Sequence, residues 1–241
     1  MDPLHLKTLN AEKQARRAAL LLTNLAEGRD RVIKEADRVE GELGNAVAKA
    51  FRTGKSGTVA IDGVDYFLNV HVPPARIVAI GAVPISQALA PIARIAGYDI
   101  EVIDPRTAFA TPERFSGVQL TAEWPETALK DRPFDAYTAV AALTHDPKID
   151  DWPLAEALRR NCFYVGALGS RKTHARRVER LQAAGLPDTL IERIHAPIGL
   201  DIAASSPQEI AVAVMAQIIS ALRKRGQVAA NAAEVERILD A

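Results

Sequence analysis

The sequence predicts an α/β chain: a Rossmann-like parallel sheet with helices on both faces, preceded by a small α+β domain. Three observations predict it. After Pro74, short apolar stretches of strand length alternate with helical stretches, the pattern of strands buried on both faces of a parallel sheet. The first of these units, IVAIGAVPISQALA at residues 77–90, reads as strand, tight turn and helix. Before Pro73 the pattern is different, with paired strands and one helix. The pair Pro73-Pro74 marks the boundary, giving a small domain over residues 1–73 and a larger one over residues 74–241.

In the first domain, AALLLTNL and DRVIKE are strand-like and are joined by the turn-like AEGR. GELGNAVAKAFRTG has helical spacing and stops at Gly54, a residue suited to the left-handed position just past a helix. TVAI and VDYFLNVHV flank Asp62-Gly63, a strong hairpin signal.

In the second domain, RIVAIGA is a strand and PISQALAPIARIAG a helix, with Pro84 near its first position and Gly97 past its end. YDIEVID, GVQLTA and AYTAVAAL follow as strands, then a helix around DWPLAEALRR. CFYVGAL is the fifth strand and leads into a helix capped by Ser170. The last long helix opens on Ser206-Pro207-Gln208-Glu209, a capping box. Its apolar run IAVAVMAQII suits a core or an interface between copies, and a homo-oligomer, simplest as a homodimer, is expected.

Composition excludes several function classes. Lys+Arg and Asp+Glu are both 30, and aromatics are 5%, which leaves neither a broad basic surface nor a stacking platform for nucleic acid. The single cysteine, Cys162, excludes a disulfide framework and a cysteine-rich zinc site. At the start of an apolar strand it reads as buried and inert. The opening MDPLHLKTLNAEKQARR lacks an apolar signal core, and no run of about 18 apolar residues occurs, so a cytoplasmic protein without a membrane span is expected.

The candidate site residues gather where strands run into helices. Where the dinucleotide fingerprint G-x-G-x-x-G has three glycines, this chain has Gly81, Val83 and Ser86. Gly81 suits the tight turn, but Val83 bulks the position where backbone would approach a pyrophosphate, and Pro84 lacks an amide hydrogen. Residues Gly81, Ala82, Val83 and Pro84 form either a weakened anion-binding turn or a plain connection. Asp104 stands where an acid meets a ribose hydroxyl, and Arg106 could receive a phosphate; a simple Asp-Pro turn has the same sequence.

LTHDPKIDD places Thr144, His145, Asp146 and Lys148 at a strand's carboxyl end, where open α/β sheets hold ligands. YVGALGSRKTHARRVERL runs through Gly166 and Gly169 to Ser170, and then crowds Arg171, Lys172, His174, Arg176 and Arg177 into two helical turns. Cations oppose the dipole at a helix start, so this arrangement either awaits an anion or is a solvated basic face. The loop HAPIGLDIAASS carries His195, Gly199 and Asp201, and it is either a plain connection or packs back over the sheet edge with Asp201 facing the site. No catalytic residue and no metal ligand is assigned, and no acid cluster stands out for the magnesium of a nucleotidyl transfer.

IDPRTAFATPERF, LTHDPKIDD, FYVGALGSRKTHARR and IHAPIGLDIAASSPQEIAVAVMAQII closely resemble the xanthine dehydrogenase accessory factor (XdhC/CoxI) family, in order, over roughly residues 75–225. The resemblance implies a chaperone with a Rossmann-like domain that binds the molybdenum cofactor (molybdopterin), a pterin carrying a phosphate, as cargo. It also implies a molybdenum hydroxylase of the xanthine dehydrogenase type as the apo-enzyme partner. The cleft would then be lined by the turn at Gly81, by Asp104 and Arg106, by residues 144–146 and 166–174, and by Gly199 with Asp201. Two features depart from the family. Its turn usually reads like GAGHI, where this chain has Val83 and Pro84, and its members commonly carry an N-terminal-domain cysteine, whereas no cysteine precedes Cys162. The alternative is an oxidoreductase using NADP or NAD in the same Rossmann cleft.

Overall fold

Every residue of strand β5 (Arg76–Ile80) is buried, and the rest of the larger unit is arranged around it. The computed structural model describes residues 2–225. One compact unit takes in residues 2–73 together with residues 223–225, and a second spans Pro74–Leu222.

The first unit contains helix α1 (Pro3–Gln14), strands β1 (Ala19–Asn24) and β2 (Asp30–Lys34), helix α2 (Gly41–Thr53), and strands β3 (Gly57–Ile61) and β4 (Val64–His71). The strands form an antiparallel sheet of order β2-β1-β4-β3. Side chains alternate across a strand, and β1 buries both sets. Leu20 and Leu22 meet Val47 and Ala50 of α2, whereas Ala19 and Leu21 meet Leu9 of α1. That double burial is why residues 18–22 are apolar at every position. Asp62 and Gly63 both take positive φ in the β3–β4 turn, as the Asp-Gly signal requires. Gly54 ends α2 at φ +67. Helix α1 was not legible: its sequence is polar, and its cap is Asp2, whose side chain accepts the Leu4 amide at 2.8 Å.

The second unit adds α3 (Pro84–Ile95), β6 (Asp99–Ile103), β7 (Gln119–Thr121), α4 (Pro125–Ala128), β8 (Thr138–Ala142), α5 (Pro147–Arg159), β9 (Tyr164–Ala167), α6 (Arg171–Ala183), α7 (Asp188–Ile191), β10 (Ile194–His195) and α8 (Pro207–Lys224). All six strands are parallel, in the order β10-β9-β8-β5-β6-β7. The predicted Rossmann-like sheet is therefore present. The first strand of the unit lies in the middle, and the chain reverses its direction of growth between β5 and β8, the topological switch point of such sheets.

The two faces of the sheet are sorted by alternation. Ile77, Ala79, Ala139 and Ala141 face Leu89 of α3 and Val214, Met215 and Ile218 of α8. Val78, Ile80, Val140 and Ala142 face Leu154 and Leu158 of α5 and Leu181 of α6. Each such buried Leu, Ile or Met contributes about 1.5–3 kcal/mol. The capping box of α8 is formed: Ser206 Oγ accepts the Glu209 amide at 3.2 Å, and Glu209 accepts the Ser206 amide at 2.9 Å. Cys162 is buried against the α5 side, two residues before β9 rather than in it, and burial pushes its thiol up to about 12. No helix among the described residues is long and apolar enough to cross a membrane.

At the amino edge of the sheet one arginine joins three side chains. Arg132 donates to Glu101 at 2.9 Å, Gln119 at 2.9 Å and Asp99 at 2.6 Å. The carboxyl edge is arranged differently.

Candidate functional site

The turn after β5 is closed by the chain's own side chains. Asp104, fully buried at the end of β6, accepts the Ala82 amide at 2.7 Å. It also holds Arg106, whose Nε and Nη2 donate to it at 2.9 and 2.7 Å. Burial alone would raise the Asp104 carboxyl, but the bonds from Arg106 and Ala82 and the Arg106 charge outweigh it and hold the group below the usual range. Arg106 in turn lies 4.6 Å from the Phe109 ring centroid, a cation–π contact.

Ser86 completes the closure. Its Oγ accepts the Val83 amide at 3.0 Å and donates to the Gly81 carbonyl, 2.6 Å away. Pro84, the first residue of α3, has no amide hydrogen. The amides of Ala82 and Val83, which a pyrophosphate would take in a dinucleotide fold, are thus bonded to Asp104 and Ser86.

Gly81 has a different reason to be glycine. It sits at φ +114, and a Cβ there would come within 2.7 Å of Thr144 Cγ2. The loops after β5 and β8 touch at the switch point, and only hydrogen fits between them.

The loop after β8 is organised by Asp150 of α5. Asp150 is 1% exposed; it accepts the Thr144 hydroxyl at 2.7 Å and the His145 amide at 3.0 Å. Thr144 Oγ1 also accepts the Asp146 amide at 3.0 Å, and Asp146 caps α5 by accepting the Lys148 amide at 3.0 Å. These bonds hold His145 at φ +63, in the left-handed region that non-glycine residues seldom adopt. Burial pushes the Asp150 carboxyl up to about 6, against the opposing bonds from Thr144 and His145. Burial, then the Arg177 charge, pushes the His145 imidazole down.

Between this loop and α6 lies a cleft of about 400 Å³, within the size range of small-molecule sites. His145, Pro147, Asp150 and Asp151 line one side; Lys172, Thr173, Arg176, Arg177 and Arg180 line the other. Arg180 is already paired with both oxygens of Asp151. Arg177 is not. It is 2% exposed; its Nη2 donates to the Leu168 carbonyl at 2.8 Å, while Nε and Nη1 are buried without a hydrogen-bond partner. His174, one turn earlier, has a buried Nδ1 that also lacks one.

The predicted site residues therefore divide. Gly81, Ala82, Val83, Pro84, Asp104 and Arg106 form the closed turn. Thr144, His145 and Asp146 form the Asp150-bound loop, of which His145 lines the cleft. Gly169, at φ +133, brings the start of α6 beside His145: a Cβ would stand 3.7 Å from His145 Nδ1. Ser170 caps α6 by accepting the Thr173 amide at 3.2 Å, while Arg171 is exposed and lies outside the cleft lining.

Gly166 and Gly199 stand inside the fold. A Cβ on Gly166 would meet Ile198 Cγ1 at 2.7 Å, and one on Gly199 would meet the α8 backbone at Val214, 3.2 Å away. Asp201 is exposed; it accepts the Ala203 amide at 3.4 Å, and it does not line the cleft. Sequence reasoning missed Asp150 and Arg180, and it placed Arg177 in the basic cluster without making it a site residue. The available signal was spacing: His174 and Arg177 lie three residues apart and share a helix face.

Residues 77–218 match the family described as the XdhC Rossmann domain. The chain is similar to a protein of Bacillus subtilis described as a probable xanthine dehydrogenase subunit, with 34% identity over 160 residues, 66% of this chain and 46% of that one. It is similar also to the molybdenum cofactor insertion chaperone PaoD of Escherichia coli, with 29% identity over 148 residues, 61% of this chain and 40% of that one. The alignments thus span less than half the length of these two curated relatives. Among solved structures, a protein described as a xanthine dehydrogenase of Bacillus halodurans shares the fold, with a TM-score of 0.60 and 22% identity over 93% of this chain and 65% of that one.

Proposed function

The chain belongs to the XdhC family, and from that premise we propose that it is an accessory protein that takes up the molybdenum cofactor and hands it to a molybdenum hydroxylase of the xanthine dehydrogenase type. The names of two relatives point the same way, one being a cofactor insertion chaperone and the other a component of a xanthine dehydrogenase. The observation that carries the reading is the cationic cleft at the carboxyl edge of the sheet. There Lys172, Arg176 and Arg177 face His145 with only Asp150 and the already paired Asp151 to offset them. A pterin that bears a phosphate is an anionic guest, and a delivery protein needs a site that binds it by charge and hydrogen bonds and still releases it.

A dinucleotide reading is less well supported. It requires turn amides for a pyrophosphate, and those of Ala82 and Val83 are bonded internally. The test is co-elution of the folded chain with cofactor freed from a denatured molybdenum hydroxylase, beside a calorimetric titration of NADPH and NADH. Retention of the cofactor, with no saturable heat from either nucleotide, is expected. A folded chain that retains no cofactor overturns the proposal.

A further inference from the structure

We infer that the cleft between α5 and α6 seats a phosphate monoester and that Arg177 is its buried anchor. The inference rests on the proposed accessory function only for the identity of the ester, the terminal phosphate of the pterin cargo.

The argument begins with an imbalance. A guanidinium stays protonated in any protein environment, and burying one without an anionic or hydrogen-bonding partner is strongly unfavourable. Arg177 is buried, and burial pushes its pKa down. Yet only Nη2 has an acceptor, a main-chain carbonyl, while Nε and Nη1 have none. The acids that attract it are engaged elsewhere: Asp150 by the amides and hydroxyl of the His145 loop, Asp151 by Arg180. At the amino edge of the same sheet, by contrast, Arg132 has three side-chain acceptors.

The surroundings fit a compact, highly charged anion. Lys172 and Arg176 are exposed on the cleft rim, where they raise the local concentration of anions without a desolvation cost. His145 supplies an imidazole whose protonation a dianion would favour. Thr173, in the first turn of α6, lines the cleft as well, and the positive end of a helix dipole favours negative charge. A dinucleotide pyrophosphate is a poorer match, because it binds at a glycine-rich turn after the first strand of such sheets, and here that turn is closed.

The experiment uses the full chain and inorganic phosphate as probe, read by titration calorimetry at fixed ionic strength. Saturable binding is expected. Arg177→Met should weaken it about tenfold or more, the equivalent of a lost charged hydrogen bond, and Arg177→Lys should recover part of it. Because Arg177→Met could also disturb folding, the exposed pair Lys172→Ala with Arg176→Ala provides a second arm. It should weaken binding and flatten its salt dependence while leaving the near-ultraviolet circular dichroism unchanged.

No saturable phosphate binding to the wild-type chain, or unchanged binding to a folded Arg177→Met protein, overturns the inference. Retention of the cofactor is then compared with retention of its dephosphorylated form. Preference for the phosphorylated form, lost in Arg177→Met, supports the assignment. Equal retention of both overturns it and leaves the accessory function standing. Phosphate binding at Arg177 with neither pterin retained supports the anion site and overturns the accessory function.

Discussion

Asp104 accepts the backbone amide of Ala82 across 2.7 Å and thereby joins the end of β6 to the turn that follows β5. A carboxylate that in a dinucleotide fold would reach outward to a ribose here points inward. It fastens the turn and is itself fastened by Arg106.

Replacing Asp104 with Ala should therefore be a stability change first. The buried Ala82 amide would lose its acceptor and Arg106 its partner, at a cost of about 2–4 kcal/mol, measured by urea denaturation. Asp104→Asn, which keeps one acceptor, should cost less. The carboxyl is held below its unfolded value of 3.8, so its contribution is fully present above that pH. It is lost as the pH falls through the lower, folded value.

Gly81→Ala should destabilise by about 2–4 kcal/mol, because a methyl group meets Thr144 Cγ2 and the positive φ is unfavourable for alanine. Thr144→Ser removes that methyl and keeps the hydroxyl bonded to Asp150. In a double-mutant cycle the serine should recover the steric part of the loss and not the conformational part. Additive costs would show that the two loops do not touch.

Asp150 should titrate near 6 rather than at its ordinary value of 3.8. Its folded pKa is raised, so the group's penalty is full above about 6 and is relieved as the pH falls toward 3.8, opposite in sign to Asp104. The Thr144 and His145 amide resonances, both within the Asp150 hydrogen-bond set, should shift together with that midpoint. Midpoints near 4 would contradict the burial argument.

Sulfate, which does not titrate in this range, should raise the pKa of His145. Burial and then the Arg177 charge depress it in the free chain, and a dianion in the cleft reverses the sign of the local field. Lys172, Arg176, Arg177, Arg180, Asp150 and Asp151 also face the cleft. By linkage, sulfate affinity should increase as the pH falls through the His145 titration. An imidazole proton shift that follows pH identically with and without sulfate would place the anion elsewhere.

Sequence periodicity was enough to place the sheet. The strands around Ile77, Ile100, Ala139 and Val165 are mostly apolar because helices cover both faces, and their polar members Arg76, Asp99, Glu101 and Thr138 lie at or near the amino ends. The caps at Ser170 and Ser206 and the turns at Gly54 and Asp62-Gly63 were legible because each is a local device whose chemistry lies within four residues. β10 was not: two residues, Ile194 and His195, become a strand only because Val165 and Gly166 lie alongside.

The site was legible as a neighbourhood and not as a set of contacts. Asp104 stood at the expected position, but whether its carboxylate turns outward or inward depends on Ala82, 22 residues earlier. Arg177 reads as one more cation on a solvated face, and only the fold reveals that it is the buried one. The Asp151–Arg180 pair, 29 residues apart, has no local signature at all.

The burial of Cys162 has a practical consequence. It is the only cysteine in the sequence, and a thiol pushed up to about 12 supplies almost no thiolate to a maleimide at neutral pH. The natural chain thus offers a silent background for labelling. A fluorophore attached through Arg171→Cys, exposed at the first turn of α6, would be a single reporter close to the arginines, able to follow the arrival and departure of a guest in real time.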